Sequence, residues 1–379
     1  MSFKRIVFWA HLIVGITFGL VILLMSATGV LLTYERQIIA YMEQRAVDRT
    51  PGAQPLTADE MARKVLESGA QVGNSLVFSN ADGAPVELSV SRRETSLLDP
   101  YSGIPIDDAA ETTKAFFGTI TVLHRWLALP GESRQAGRAV TGAANLGFLF
   151  ILVSGLYLWW PRKWTWRVVK LNVLFRGNLP TAKARDYNWH HVFGIWSLVP
   201  LFAIVLSGVV ISYPWASDLV VAAFGPASPL EAGRTAQGGP QGQQRADGDP
   251  VSLQDIVATL KQAEPAWRTV SIKLPREQAA RVVVTVDTGN GAQLSRQKTY
   301  TVSRVTGDVL GVSGVDDQSP GRRARVFLRF LHTGEVYGLP GQTLAGLASL
   351  ASVFLFYTGF ALAYRRLIQP IFRRRSLNA

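Results

Sequence analysis

The chain contains five histidines, and four of them occupy corresponding positions in an internal repeat. His11 corresponds to His190, and His124 corresponds to His332. Two neutral imidazoles placed across a flat cofactor make a six-coordinate haem site, which is suited to electron transfer because no iron position is left open. The pattern predicts two haem b groups, with these four histidines as the axial ligands of the iron.

The composition excludes several other chemistries. The chain has no cysteine, so disulfides, thiolate catalysis, cysteine-ligated clusters and covalent haem attachment are ruled out. No glycine-rich dinucleotide fingerprint follows a predicted strand, and we therefore expect no hydride transfer from a nicotinamide cofactor within this chain. No catalytic residue beyond the haem ligands is predicted.

Four long apolar stretches must position the histidines. They cover residues 6–32, 140–160, 190–213 and 344–364, each long enough to cross a hydrocarbon core of about 30 Å. The connection at 162–189 and the C-terminal tail are rich in Lys and Arg, which predicts that both, and both termini, are cytoplasmic. The formal charge of +12 is therefore attributed to the membrane flanks, with membrane lipids as partners and no nucleic acid.

The chain reads as a duplication. Residues 11–34 and 190–213 both begin with His, have Gly four residues later and end with Tyr. Each is followed by a capped amphipathic helix, alternating strand-like runs and a turn, at 99–103 in one half and 303–307 in the other. Both halves then reach a Leu-His step and a Leu-Pro-Gly step. The fold class predicted is a membrane α-helical protein, with four transmembrane helices in two parallel repeats and two small periplasmic α+β domains.

Each predicted span also carries a hydroxyl residue followed by glycine. These pairs are Thr28-Gly29, Ser154-Gly155, Ser207-Gly208 and Thr358-Gly359. In addition, Gly15 and Gly194 lie one turn after a histidine, where a missing side chain would allow close approach of a porphyrin face or of a neighbouring helix.

Further residues are predicted to bind the haem propionates. Haem propionates need cations at the edge of the bilayer, and Arg125, Arg138 and Arg329 are placed for that role. Each of them could equally be a snorkelling flank residue. His191 directly follows His190; it is predicted to contact a propionate or the backbone, and it is the rival ligand.

A basic cluster precedes His332. It consists of Arg322, Arg323, Arg325 and Arg329. An anionic chelate or a lipid headgroup could dock there, and a membrane-flanking basic face is the alternative interpretation.

Several blocks resemble the PepSY-associated transmembrane family, whose iron-regulated membrane proteins include ferric siderophore reductases. They are the His-x-x-x-Gly starts at 11 and 190, the blocks 123–131 and 331–342, and the Asp-Pro-Tyr-Ser-Gly turn at 99–103. In length and layout the chain looks most like the FoxB-type reductases of Gram-negative inner membranes. The resemblance implies a haem-dependent oxidoreductase that reduces a ferric siderophore at the periplasmic face of the bacterial inner membrane and releases Fe(II).

The resulting domain organisation follows the spans. We expect helix 1 at 1–34, a periplasmic PepSY-like domain with an amphipathic helix at 35–138, helix 2 at 139–161, a basic cytoplasmic loop at 162–189, helix 3 at 190–213, a second periplasmic PepSY-like domain at 214–340 with a flexible loop at 227–250, helix 4 at 341–366, and a cytoplasmic tail at 367–379.

The electron donor and the acceptor are less constrained. The donor would be a membrane quinol or a separate cytoplasmic reductase, with electrons entering at His11/His190 and leaving at His124/His332. Two alternatives stay open: a non-redox membrane module whose PepSY-like domains bind a peptide or protein, and a dihaem subunit that serves another periplasmic acceptor.

Overall fold

The computed structural model describes residues 2–47, 52–90, 94–225, 249–276 and 278–371. The chain forms two compact units. The helical unit comprises Met1–Glu35, Phe116–Leu219 and Leu328–Ala379, and the sheet unit comprises Arg36–Ala115 and Val220–Phe327. The predicted flexible loop at 227–250 lies almost wholly outside the described residues.

Helices account for most of the described chain. They are α1 (Phe3–Leu32), α2 (Glu35–Gln44), α3 (Ala58–Glu67), α4 (Glu111–Trp126), α5 (Arg134–Trp159), α6 (Trp166–Val173), α7 (Ala182–Ser212), α8 (Pro214–Phe224), α9 (Leu253–Ala263), α10 (Pro320–Thr333) and α11 (Gly338–Leu367).

Within the described residues, four of these helices are long and apolar enough to cross a membrane, namely α1, α5, α7 and α11. Each coincides with a predicted span, so the membrane-helical class is confirmed. They pack as neighbours in the order α1, α5, α7, α11 and back to α1, which puts α1 and α7 at opposite corners. The interior contains Ile22, Phe148, Leu201 and Phe356, and burying these side chains holds the helices together.

The predicted loop at 162–189 is partly helical. It forms α6, and α7 begins eight residues before the predicted span because the Thr181 side chain caps it by accepting from the Ala184 amide. The early start puts Asp186 inside α7 with its side chain fully buried. Arg185, 2.9 Å away, and Arg365 on α11 both pair with this carboxylate, which compensates for the cost of its burial.

The sheet unit contains one antiparallel sheet. Its strands are β1 (Ser75–Ser79), β2 (Val86–Ser89), β3 (Thr95–Leu98), β4 (Thr269–Lys273), β5 (Arg281–Asp287), β6 (Gln297–Ser303) and β7 (Val309–Ser313), in the spatial order β3-β2-β1-β4-β5-β6-β7.

This sheet corrects the expectation of two separate small domains. Strands from the two halves pair directly, β1 against β4, with Val77 opposite Ser271. The pairing converts what would be two exposed strand edges into the middle of one sheet, which satisfies their main-chain groups. The helices α3 and α9 cover one face, where Met61, Leu260 and Ile272 are buried.

The predicted helix starts and turns are confirmed. Thr57 forms a capping box with Glu60 at the start of α3, and Ser252 caps α9 by accepting from the Asp255 amide. In the turn at 99–103, the Asp99 carboxylate accepts from the amides of residues 101 and 102. The Ser303 hydroxyl accepts from the corresponding amides of residues 305 and 306.

Candidate cofactor site

The second histidine pair, His124 and His332, lies together in the helical unit. His124 is near the end of α4 and His332 near the end of α10. Their ring centroids are 6.5 Å apart, and the ring planes are inclined by 64°. Two imidazoles that bind one metal from opposite sides, at about 2 Å per metal–nitrogen bond, have centroids roughly 6 Å apart. The observed separation therefore suits one metal between the rings.

Burial favours the neutral form of both rings of this pair. Burial and the nearby His332 lower the pKa of His124 to about 4. Burial also lowers the pKa of His332 below its usual value. Neutral imidazole is the form that offers a nitrogen lone pair to a metal.

The first histidine pair consists of His11 on α1 and His190 on α7, the two helices at opposite corners. The ring contact between predicted partners is seen at the second pair.

Each of the four rings has a hydroxyl partner at Nδ1. The distances are 2.8 Å from Thr28 Oγ1 to His124, 2.9 Å from Ser154 Oγ to His11, 3.0 Å from Thr358 Oγ1 to His190, and 3.4 Å from Ser207 Oγ to His332. A main-chain carbonyl also accepts from two of these nitrogens: Leu355 O lies 3.1 Å from His190, and Ile204 O lies 2.8 Å from His332.

Carbonyls near the hydroxyls indicate the direction of these bonds. Every one of the four hydroxyls donates to a carbonyl of its own helix one turn earlier. The acceptors are Leu24 O for Thr28, Phe150 O for Ser154, Ala203 O for Ser207 and Phe354 O for Thr358. A hydroxyl that donates to its own carbonyl can accept from the imidazole, and this arrangement places the proton on Nδ1 and the lone pair on Nε2.

A cavity lies beside the second pair. Its volume is about 120 Å³, and it is partly open. Among its lining residues are His124, His332, Gly29, Ile22 and Phe148. A largely apolar wall with a few polar groups is typical of cofactor sites.

Three arginines stand near this pair. Burial and the positive charges of Arg329 and Arg138 lower the pKa of Arg125, which shows that the three side chains share one region. Among the described residues no carboxylate pairs with any of them. These are the arginines predicted to bind propionates, and that role stays a prediction.

The ligand set consists of pairs. Among the described residues no group of three or more His, Cys, Asp or Glu side chains could hold a metal ion. A haem needs only two axial ligands because the porphyrin supplies the other four. The geometry of the second pair, the free Nε2 atoms and the arginines therefore fit a haem.

Comparison with known families matches residues 8–366 to the family described as the PepSY-associated TM region. The chain belongs to this family. The match covers both histidine pairs, all four long apolar helices and the sheet unit. A search of curated proteins finds no match.

In this PepSY-associated chain, the fifth histidine contacts its own helix. His191 Nδ1 donates to Tyr187 O at 2.9 Å, and the two rings stack with centroids 4.1 Å apart. His190, by contrast, contacts Thr358 and the following glycine as the other three histidines contact theirs. The contact pattern favours His190 over His191 as the ligand.

The structure also separates the remaining predicted residues. A Cβ atom at Gly15 would meet nothing within 4 Å, whereas one at Gly194 would lie 3.7 Å from Leu355; helix packing therefore explains Gly194 but not Gly15. In the basic cluster, Arg323 pairs with Asp316 at 3.1 Å. Arg329 lies close enough to Arg125 for its charge to lower the pKa of Arg125.

The sequence interpretation missed the role of the hydroxyl–glycine pairs. They recur in all four predicted spans, which was the available signal, but their partners are far away in the chain. Thr28 and His124 are separated by 96 residues, and His11 and Ser154 by 143. A second missed feature is Trp159, whose buried indole Nε1 has no hydrogen-bond partner among the described residues.

Proposed function

We propose that this chain is a dihaem b-type electron-transfer protein of the bacterial inner membrane that reduces ferric siderophores at the periplasmic face and releases Fe(II). The observation that carries the proposal is the 6.5 Å separation of the His124 and His332 rings. Haem bound at the two histidine pairs would supply one-electron transfer between the two ends of the helices.

The histidines act as axial ligands in this proposal. His11 and His190 hold one group, and His124 and His332 hold the other. The proton on each Nδ1 keeps Nε2 available, and hydrogen bonding at Nδ1 fixes ring orientation. With two histidines holding each haem, a substrate would not bind the iron and would need a docking surface instead of a deep pocket.

The arrangement in the membrane follows from charge and duplication. The halves are two parallel repeats related by an axis along the membrane normal. The basic segment between α5 and α7 and the basic end of α11 are cytoplasmic. The sheet unit is then periplasmic, and the second pair lies toward the periplasmic face.

The arginines around the second pair determine the class of substrate. Arg125, Arg138 and Arg329 bind the propionates and give the surroundings a positive potential, which favours an anionic ferric chelate. Reduction of Fe(III) weakens the hold of hard siderophore oxygens on the metal. The donor is a membrane quinol or a cytoplasmic reductase.

A second candidate is peptide or protein binding by the sheet. Strand β7 is at an edge of the sheet, and Val309, Leu310 and Val312 on it are about half exposed. An exposed apolar edge strand is a template for an added strand. This activity needs no haem.

The test starts from full-length protein purified in detergent. The pyridine haemochrome assay should give two haems per chain. The anaerobically reduced protein is then mixed with ferric siderophores, and haem reoxidation is followed together with capture of Fe(II) by a ferrous-specific chelator. Reoxidation with matching Fe(II) supports the proposal. Reoxidation without Fe(II) would leave a dihaem protein for another acceptor, and a colourless protein would favour the peptide-binding candidate.

A further inference from the structure

We propose that the four hydroxyl–glycine pairs are positioning elements that hold each histidine in one tautomer and one orientation, and thereby tune the redox potentials of the two haem sites. This inference rests on the proposed function. The pairs are Thr28-Gly29, Ser154-Gly155, Ser207-Gly208 and Thr358-Gly359.

Within the first half, each hydroxyl bonds a histidine on another helix. The Thr28 hydroxyl of α1 bonds His124, and the Ser154 hydroxyl of α5 bonds His11, which is on α1. The second half repeats this arrangement. There α7 carries His190 and the hydroxyl near His332, and α11 carries the hydroxyl near His190. The hydrogen bonds therefore join helices of one half, while the proposed haems join histidines of different halves.

The glycine that follows each hydroxyl lies next to the same imidazole ring. A Cβ atom built on it would face Cε1 of the same imidazole, the carbon between the two ring nitrogens. The distances are 3.2 Å for Gly208 and His332, 3.3 Å for Gly155 and His11, 3.6 Å for Gly359 and His190, and 3.8 Å for Gly29 and His124. Consecutive residues thus hold Nδ1 by a hydrogen bond and leave room for the adjacent ring carbon.

Not every buried hydroxyl in the four helices bonds a histidine. Ser26, two residues before Thr28 on α1, bonds Ser352 on α11 at 2.8 Å. That buried pair links two helices without touching a histidine, so helix association alone does not require the hydroxyls at the imidazoles. Because Ser26 lines the cavity beside the second pair, the control is Ser197 on α7, whose hydroxyl bonds the Phe193 carbonyl at 2.6 Å.

The strength of the hydrogen bond from Nδ1–H affects the reduction potential of a haem bound through Nε2. An acceptor at this proton makes the imidazole more electron-donating through Nε2, which stabilises the ferric state and lowers the reduction potential. For His11 the close acceptor is the hydroxyl. A carbonyl also accepts from His190 and His332, and the Met25 carbonyl also interacts with His124, so loss of the hydroxyl should matter most at His11.

The experiment measures the midpoint potentials of both sites by optical redox titration of haem-loaded protein, together with the low-spin electron paramagnetic resonance signals. Thr28→Val should raise the potential of the His124/His332 site alone, and Ser154→Ala that of the His11/His190 site alone. Thr28→Ser should restore the wild-type value. Ser207→Ala should give a smaller shift than Ser154→Ala, and Ser197→Ala, which removes a hydroxyl that bonds the Phe193 carbonyl of its own helix, should give none.

Glycine variants test the second contact. Gly155→Ala should alter the resonance signal of its own site, because the added carbon would lie 3.3 Å from the His11 ring, whereas Gly29→Ala should change little. At Gly208 the added carbon would first meet the Asn145 amide, at 2.9 Å. Loss of one haem with the other retained also supports the inference. If Thr28→Val loses both haems, Ser154→Ala becomes the deciding variant. Haem-loaded variants with wild-type potentials and signals overturn this inference alone, and a wild-type protein without haem overturns the proposed function and this inference with it.

Discussion

His124 and His332 come from helices in different halves of the chain, and yet their ring centroids are 6.5 Å apart inside the helical unit. Removing one ring should therefore empty one site only. For His332→Ala we expect the haem content to fall from two per chain to one, because the remaining imidazole cannot hold the iron as a six-coordinate site. The pyridine haemochrome assay and the absorption spectrum measure this.

The matched control is His191→Ala. This ring bonds the Tyr187 carbonyl and stacks on the Tyr187 side chain, so both haems should remain. His190→Ala should remove one haem. If His191→Ala loses a haem and His190→Ala keeps both, the ligand has been assigned to the wrong member of the doublet.

Asp59 connects the two halves of the sheet unit. Its carboxylate accepts from the Leu253 amide at 2.8 Å and the Gln254 amide at 2.9 Å, at the start of α9. Loss of such a cap costs about 1 kcal/mol, with an upper range of about 2 kcal/mol. Asp59→Ala should therefore speed hydrogen exchange in the first turn of α9 by a factor of about 5 to 30. Asp255→Ala, an exposed carboxylate in the same turn, should change exchange much less; equal effects would contradict the capping role.

The Glu264 carboxylate makes the stability of the sheet unit depend on pH. Hydrogen bonds from Lys298 Nζ at 2.5 Å and Tyr300 Oη at 2.6 Å lower the pKa of Glu264. Burial and this carboxylate raise the pKa of Tyr300 to about 12. A lowered carboxyl pKa contributes stability above the unfolded-state value near 4.3, and the contribution is lost as the pH falls through the folded-state value.

Acid should consequently destabilise the wild-type sheet unit more than a Glu264→Gln variant. We expect the difference in thermal midpoint between the two proteins, measured by circular dichroism from pH 6 down to pH 3, to shrink as the pH falls. The variant should be the less stable protein at pH 6, because the charged hydrogen bonds are weakened. A difference that stays constant over this range would show that Glu264 does not titrate differently in the folded state.

The sequence predicts the four long helices well because their apolar patterns are local, and the internal repeat indicates the neighbours His124 and His332. Span boundaries are less accurate at α7, where Thr181 capping and the pairing of Asp186 with two arginines extend the helix past its apolar part. The single sheet could not be predicted, because the pairing of Val77 with Ser271 depends on two strands far apart in the chain. The hydroxyl partners of the histidines are missed for the same reason.

Membrane topology can be tested with single cysteines, since the native chain has none. Asp308, in an exposed turn of the sheet unit, should react as cysteine with a membrane-impermeant reagent once the outer membrane is permeabilised. Arg167 on α6 is also exposed and should react as cysteine only after the inner membrane is broken. The reverse pattern would invert the proposed orientation.

Trp159 provides a test at the first histidine pair. Its indole Nε1 is buried without a partner among the described residues, and a buried donor left unpaired costs about 1 to 3 kcal/mol. Trp159 lies four residues after Gly155, which faces His11, so both are on the same side of α5. A propionate of the proposed first haem is an acceptor that could take this proton.

The two possibilities give opposite signs for Trp159→Phe. If the donor serves a haem carboxylate, the variant should retain haem less tightly than wild type, and the potential of the His11/His190 site should shift while that of the other site stays the same. If the indole N–H has no acceptor, removing it should stabilise the protein or leave its stability unchanged. Trp164→Phe is the control, because this exposed ring packs against Trp159, with centroids 6.3 Å apart, and against Trp160. We expect Trp159→Phe to weaken haem retention and Trp164→Phe to have no effect, measured by haem transfer to apomyoglobin. Equal retention in both variants would remove Trp159 from the site.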